Sequence, residues 1–168
     1  MAGSLDSKTA LVTGGGSGIG RAASLAYAKD GARVVVADVN VEGGEETVQM
    51  IKEAGGEAIL VHADVSNPED TQAMVDQAVG AFGSLDCAFN NAGIGGGRDR
   101  LLTADYLEED WDRVISINLK GVWLCMKAEI PQMLKQGGGA IVNTASIAGL
   151  AGLSGTVAYV AAKHGVTG

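Results

Sequence analysis

The stretch Thr13-Gly14-Gly15-Gly16-Ser17-Gly18-Ile19-Gly20 constrains this chain more than any other. It follows an apolar run, Thr9-Ala10-Leu11-Val12, and leads into a segment with helical periodicity. Glycines permit the tight strand-to-helix turn that such a junction needs, and they let backbone N–H groups approach a ligand with no Cβ in the way. At a helix N-terminus those N–H groups and the helix dipole favour an anion such as a pyrophosphate. Glycine supplies 26 of the 168 residues, so a glycine-rich turn taken alone is weak evidence. Its meaning depends on what the other loops bring to it.

Short β-rich runs alternate with longer helical patterns. Residues 8–12 read as the first strand, and a helix then opens near Gly18, carries Ile19, Ala22, Ala23 and Ala26 on one face, and stops at Gly31. Residues 33–38 form a continuous apolar strand of the kind buried in a parallel sheet. A more polar helix covers about 41–54, and a third strand covers 58–62. Asn67-Pro68-Glu69-Asp70 has a cap, a first-turn proline and first-turn acids in helix-starting order. That helix presents Met74, Val75, Ala78, Val79 and Phe82, and a fourth strand follows at 85–89. Residues 95–100 read as a charged, flexible loop. One long helix is expected over about 107–136, with Pro131 as a point of bending. A fifth strand at 140–144 and a last helix from Val157 complete the chain.

This alternation predicts an α/β fold: a Rossmann-like, doubly wound parallel sheet in a three-layer α/β/α arrangement, built as one domain over residues 1–168. In such folds ligands bind outside the carboxyl ends of the strands. The glycine turn, Asp38, Asp64, Asn90-Asn91-Ala92-Gly93 and Ser146 each fall at the carboxyl end of a different predicted strand. That agreement is stronger than any one motif.

Asp38 stands 18 residues after Gly20, near the position where a carboxylate hydrogen-bonds the adenosine ribose in dinucleotide folds. It repels a 2′-phosphate, and neighbouring Ser17 and Val39 offer no cation, which favours NAD over NADP. A nucleotide-hydrolysing loop fits poorly, because Arg21 and Ala22 stand where that motif needs Lys and a hydroxyl. Tyr159 and Lys163 share a helix face at i, i+4 spacing, so an ammonium can favour an ionised phenol and suit it to acid/base work. Alone, that pattern occurs on many surface helices. Ser146 offers a hydroxyl towards a carbonyl oxygen, or caps local backbone; no G-x-S-x-G elbow surrounds it. Asn118 falls on an apolar stripe with Trp111, Val114, Ile115, Val122 and Cys125, where its amide needs partners. His62 and His164 are given no catalytic role.

A net charge of −8 argues against nucleic acid or an anionic membrane as partner. No apolar run approaches a membrane span, and Cys87 and Cys125 lack metal-ligand spacing and read as buried free thiols. A cytoplasmic protein with no bound metal is the expectation.

Assembled, these residues resemble the short-chain dehydrogenase/reductase family from the first strand to the last residue. The resemblance rests on Thr13-Gly14-x-x-x-Gly18-Ile19-Gly20, Asp64-Val65, Asn90-Asn91-Ala92-Gly93, Asn118, Ser146 and Tyr159-x-x-x-Lys163, with spacings similar to the ordinary branch. It implies that Tyr159 exchanges the substrate hydroxyl proton, Ser146 orients the substrate oxygen, and Lys163 binds the nicotinamide ribose and favours the ionised tyrosine. Asn118 would hold a water that continues the relay. Thr13, Gly14, Ser17, Gly18, Ile19 and Gly20 would shape the pyrophosphate site, Asp64 and Val65 would border the adenine, and Asn91, Ala92 and Gly93 would line the cleft. The implied reaction is hydride transfer between NAD and a small secondary alcohol or ketone, in a homo-oligomer (dimer or tetramer). Family members continue with further strands and a substrate-covering loop, so the C-terminal part of the fold is expected to be incomplete here. The alternative is a non-catalytic dinucleotide-binding or interaction module.

Overall fold

A computed structural model describes residues 3–95 and 101–168. Most of the expected 95–100 loop lies outside the described residues. Five strands form: β1 (Thr9–Thr13), β2 (Arg33–Asp38), β3 (Ala58–His62), β4 (Cys87–Asn90) and β5 (Ala140–Asn143). They build one sheet in the order β3-β2-β1-β4-β5, with every pair parallel. The expected Rossmann-like architecture is therefore present. The chain reverses direction of growth between β1 and β4, which makes their carboxyl ends the natural binding crevice.

Both sheet faces are covered, and the strand sequences explain how. Alternate side chains point to opposite faces, so Ala10, Val12, Val34 and Val36 enter one core with Val48 and Ile51. Leu11, Val35, Ala37 and Val61 enter the other with Met74, Val75, Ala78, Cys125 and Met133. The first core is closed by α1 (Gly18–Lys29) and α2 (Val41–Glu53). The second is closed by α3 (Pro68–Phe82) and α5 (Gly121–Lys135). Asn40 and Asn67 cap α2 and α3 by accepting the N–H of Gly43 and Glu69. No helix among the described residues is long and apolar enough to cross a membrane.

Two expectations need correction. Helix α1 does not bury its alanine face: Ile19 is 68% exposed, Ala22 and Ala26 are exposed, and Gly20 and Ser24 are buried instead. Ser24 is free to be buried because its hydroxyl donates to the Gly20 carbonyl at 2.9 Å. The long helix is not uniform either. It consists of α4 (Glu108–Ile115), a π-helical segment (Ser116–Lys120) and α5. Val114, Asn118, Val122 and Cys125 stay buried across the π turn, while Trp111, near the start of α4, is 38% exposed. Pro131 lies inside α5, which continues to Lys135. A 3₁₀ turn (Ile147–Gly149) and α6 (Val157–Thr167) follow β5. Val114, Ala158 and Ala162 form a third cluster, packed against Ile94, Leu119 and Tyr159, that seats α6 beside the crevice.

Candidate active site

A cleft of about 740 Å³ opens at the carboxyl ends of β1 and β4. That volume is ordinary for a small-molecule site. The turn after β1 lines it with Gly14, Ser17, Gly18 and Ile19; the end of β2 adds Asp38 and Val39. Ala63, Asp64 and Val65 come from the end of β3, and Asn91, Ala92, Gly93 and Ile94 from the end of β4. Ile117, Thr144, Tyr159 and Lys163 close the far side. Residues spread over the whole chain thus converge on one concavity. A second concavity, between α2 and β3, carries Glu42, Glu45 and Glu46 and is unsuited to phosphate.

Close packing explains the glycines at two positions. Gly14 has φ +65°, and a Cβ there would stand 3.0 Å from the Ala92 Cα. A Cβ on Gly20 would stand 2.0 Å from the Gly14 carbonyl oxygen, so only glycine lets α1 start so near the turn. The N-cap of α1, Ser17, makes no side-chain capping bond. Asp38 is drawn into this turn: Oδ2 accepts the Gly16 N–H at 2.8 Å, and Oδ1 accepts the Asn40 N–H at 2.9 Å.

Thr13 and Asn118 are buried and do not line the cleft; they shape it from behind. Thr13 Oγ1 accepts the N–H groups of Asn91 and Ala92 at 3.0 and 3.1 Å, joining the end of β1 to the segment after β4. The Asn118 amide takes both polar groups of Ile94: Oδ1 accepts its N–H at 2.8 Å and Nδ2 donates to its carbonyl at 2.8 Å. Its polar side chain is thereby satisfied inside an apolar stripe, and the Gly93–Ile94 wall is held in place.

Lys163 is 97% buried, and its ammonium donates to the Thr144 carbonyl at 2.7 Å. Burial pulls its pKa below the ordinary lysine value. The same Nζ lies 5.7 Å from the Tyr159 ring centroid, so the i, i+4 pair is assembled on the cleft wall. Ser146 is half-buried and is not part of that wall; its Oγ accepts the Ala148 N–H at 3.2 Å and caps the 3₁₀ turn. Gly149 brings this turn against α6, since a Cβ there would meet the Lys163 carbonyl oxygen at 2.7 Å.

One buried group escaped the sequence reading. Glu129 in α5 is fully buried; Oε2 accepts from Asn90 Nδ2 at 3.0 Å, while Oε1 has no partner among the described residues. Asn90 Nδ2 also donates to Asn143 Oδ1 at 3.0 Å, linking the ends of β4 and β5. Burial pushes the Glu129 carboxyl up to about 7. Its place one turn after Cys125 on an apolar helix face was the available signal.

A family model described as short chain dehydrogenase matches residues 8–168. Cyclohexanol dehydrogenase of Acinetobacter sp. (strain SE19) is 49% identical over 168 residues, covering 100% of this chain and 66% of that protein. A short chain dehydrogenase/reductase from Burkholderia phymatum, solved in complex with NAD, matches with TM-score 0.93 and 41% identity, over 97% of this chain and 57% of that one. An NAD+-bound xylitol dehydrogenase matches with TM-score 0.93 and 37% identity, over 97% of this chain and 62% of that one. The chain therefore spans less than two thirds of the length of these relatives.

Proposed function

This chain belongs to the short-chain dehydrogenase family, and from that premise we propose that it serves an NAD(H)-dependent oxidoreductase interconverting a secondary alcohol and a ketone. One observation carries the reading: a single cleft holds the glycine turn, the Asp38 carboxylate and the Tyr159–Lys163 pair. The residues fit a dinucleotide. Gly18, at φ +50°, has open space where a Cβ would stand, as a close backbone approach to phosphate requires. Asp38 has lone pairs left for ribose hydroxyls, and Val39, Val65 and Ile117 offer apolar surface to flat rings. Bound NAD supplies or accepts the hydride.

The chain's own residues do the rest. The N–H groups of Ser17, Gly18 and Ile19 face phosphate at the start of α1, with Gly14 and Gly20 shaping the turn. Asp38 selects NAD by hydrogen-bonding an unmodified ribose and repelling a 2′-phosphate. Asp64 and Val65 border the adenine, and Asn91, Ala92 and Gly93 form the cleft floor that Thr13 supports. Lys163, held beside the Tyr159 ring by its bond to Thr144, offers its remaining N–H donors to ribose hydroxyls. Tyr159 Oη gives its proton to the carbonyl oxygen during reduction and takes the alcohol proton during oxidation. Ser146, whose O–H donor is left free by its capping bond, orients the substrate oxygen, and Asn118 holds a water that continues the proton relay from Lys163. Exposed Trp123, Ile130 and Leu134 on α5 support self-association, and two free cysteines fit a cytoplasmic location.

The test is absorbance of reduced nicotinamide while the protein is offered NAD with a panel of secondary alcohols. Turnover that disappears in Tyr159→Phe supports the assignment. A second reading, a dinucleotide-binding module without turnover, is favoured by Ser146 lying outside the cleft lining with its Oγ engaged as the cap of the 3₁₀ turn. It predicts NAD binding with no product from any alcohol or ketone.

A further inference from the structure

Arg21, in the first turn of α1, has no part in the roles assigned above, yet its guanidinium ties the glycine turn to α2. Its Nε donates to the Gly16 carbonyl at 3.1 Å and to Thr47 Oγ1 at 3.0 Å. Its Nη2 donates to the Gly16 carbonyl at 2.5 Å, the Gly43 carbonyl at 3.3 Å and Glu46 Oε2 at 2.6 Å. Gly16 is thus held from both ends, its carbonyl by Arg21 and its N–H by Asp38 Oδ2 at 2.8 Å. The seat is tight: a Cβ on Gly16 would lie 2.9 Å from both Asp38 Oδ2 and the Gly44 nitrogen.

A trans peptide points its C=O and N–H in opposite directions. Fastening the Gly16 carbonyl towards α2 therefore turns the Ser17 N–H away from α2. Ser17 lines the cleft together with Gly18 and Ile19. Glu46 neutralises the guanidinium, so Arg21 acts as a rigid fork of donors and not as a point charge for the ligand.

We propose that Arg21 is a positioning residue for phosphate binding: it orients the Gly16–Ser17 peptide so that the amides after it are preset for the pyrophosphate of a dinucleotide. The inference rests on reading the cleft as an NAD site. It assigns Arg21 no contact with the ligand.

Calorimetric titration with ADP-ribose and with adenosine separates this role from general stabilisation, because only the first probe carries pyrophosphate. Arg21→Met should raise the ADP-ribose Kd about tenfold, the loss of one to two hydrogen bonds' worth of orientation. The adenosine Kd should stay within about twofold of wild type. An unchanged ADP-ribose Kd, or equal weakening of both probes, overturns the proposal. If Arg21→Met does not fold, Arg21→Lys gives the same contrast, since an ammonium keeps charge and stem but not the fork; about threefold or more loss for ADP-ribose alone is expected. Wild-type protein that binds neither probe overturns the NAD reading and this inference with it. Wild-type binding that both variants match overturns this inference alone.

Discussion

Lys163 and Thr144 are joined by a 2.7 Å hydrogen bond from the buried ammonium to the backbone carbonyl at the end of β5. The bond satisfies a cation that desolvation would otherwise penalise heavily, and it holds Nζ beside the Tyr159 ring on the cleft wall. Tyr159 is placed by apolar packing of α6 against Val114 and Leu119, so the pair is assembled by the fold before any ligand arrives.

Replacing Tyr159 by Phe keeps that packing and removes only the hydroxyl. Turnover should fall by about 10²-fold or more, the contribution of a positioned acid/base. The NAD Kd should stay close to wild type. Steady-state kinetics with a calorimetric titration reads both, and retained activity would remove Tyr159 from the proton step.

Asp38→Ala removes the carboxylate at the end of β2 that lines the cleft and also frees the Gly16 N–H. Preference for NAD over NADP should shrink by about tenfold or more, the worth of a hydrogen bond to a charged group. Titration with the two dinucleotides measures it. A wild-type preference for NADP would refute the assignment of Asp38.

Asn118→Ala leaves both polar groups of Ile94 without their partner. Stability should drop by about 1–3 kcal/mol, the cost of stranding partly buried backbone groups. Urea unfolding reads the loss. A change within error would show that water replaces the amide without cost.

Glu129 makes stability pH-dependent. Its folded carboxyl titrates near 7 against an ordinary value of 4.5, so the native state binds more protons than the unfolded chain between these values. The resulting contribution is fully present below pH 4.5 and is lost as pH rises through about 7. It is on the order of 3 kcal/mol. Glu129→Gln should flatten the profile over this window and raise the urea midpoint above it. An unchanged profile would show that Glu129 does not titrate there.

How much of this was legible depends on how local the cause is. Strands β1 and β2 read well because they are buried on both faces and so are continuously apolar. Helix α3 announced itself through Asn67, whose capping acts within two residues; the same role of Asn40 in α2 emerges only in the structure. The Tyr159–Lys163 pair was visible because i, i+4 spacing is a property of any helix. The π segment around Asn118 was not, because a one-residue widening of a turn leaves the apolar stripe nearly intact in sequence. The bonds of Arg21 to Gly43, Thr47 and Glu46 and the bond of Glu129 to Asn90 were not legible for a different reason: these groups become neighbours only when α1 meets α2 and α5 crosses β4. Ser146 illustrates the opposite limit. Its strand-end position was read correctly, but whether a hydroxyl faces a ligand or its own backbone is decided by rotamer and loop geometry.

The central claim, that the β1/β4 cleft is an NAD site, is tested most directly by titrating NAD into wild type and Gly18→Ala. Gly18 lines the cleft and has no atom within 4 Å of its would-be Cβ, so the methyl intrudes on the ligand and not on the protein. The left-handed backbone there adds strain of about 1–2 kcal/mol, which a thermal melt separates from binding. The account predicts saturable binding at one site in wild type and a Kd raised about tenfold or more in the folded variant. Absence of saturable binding in wild type, or an NAD Kd that Gly18→Ala leaves unchanged, would contradict it.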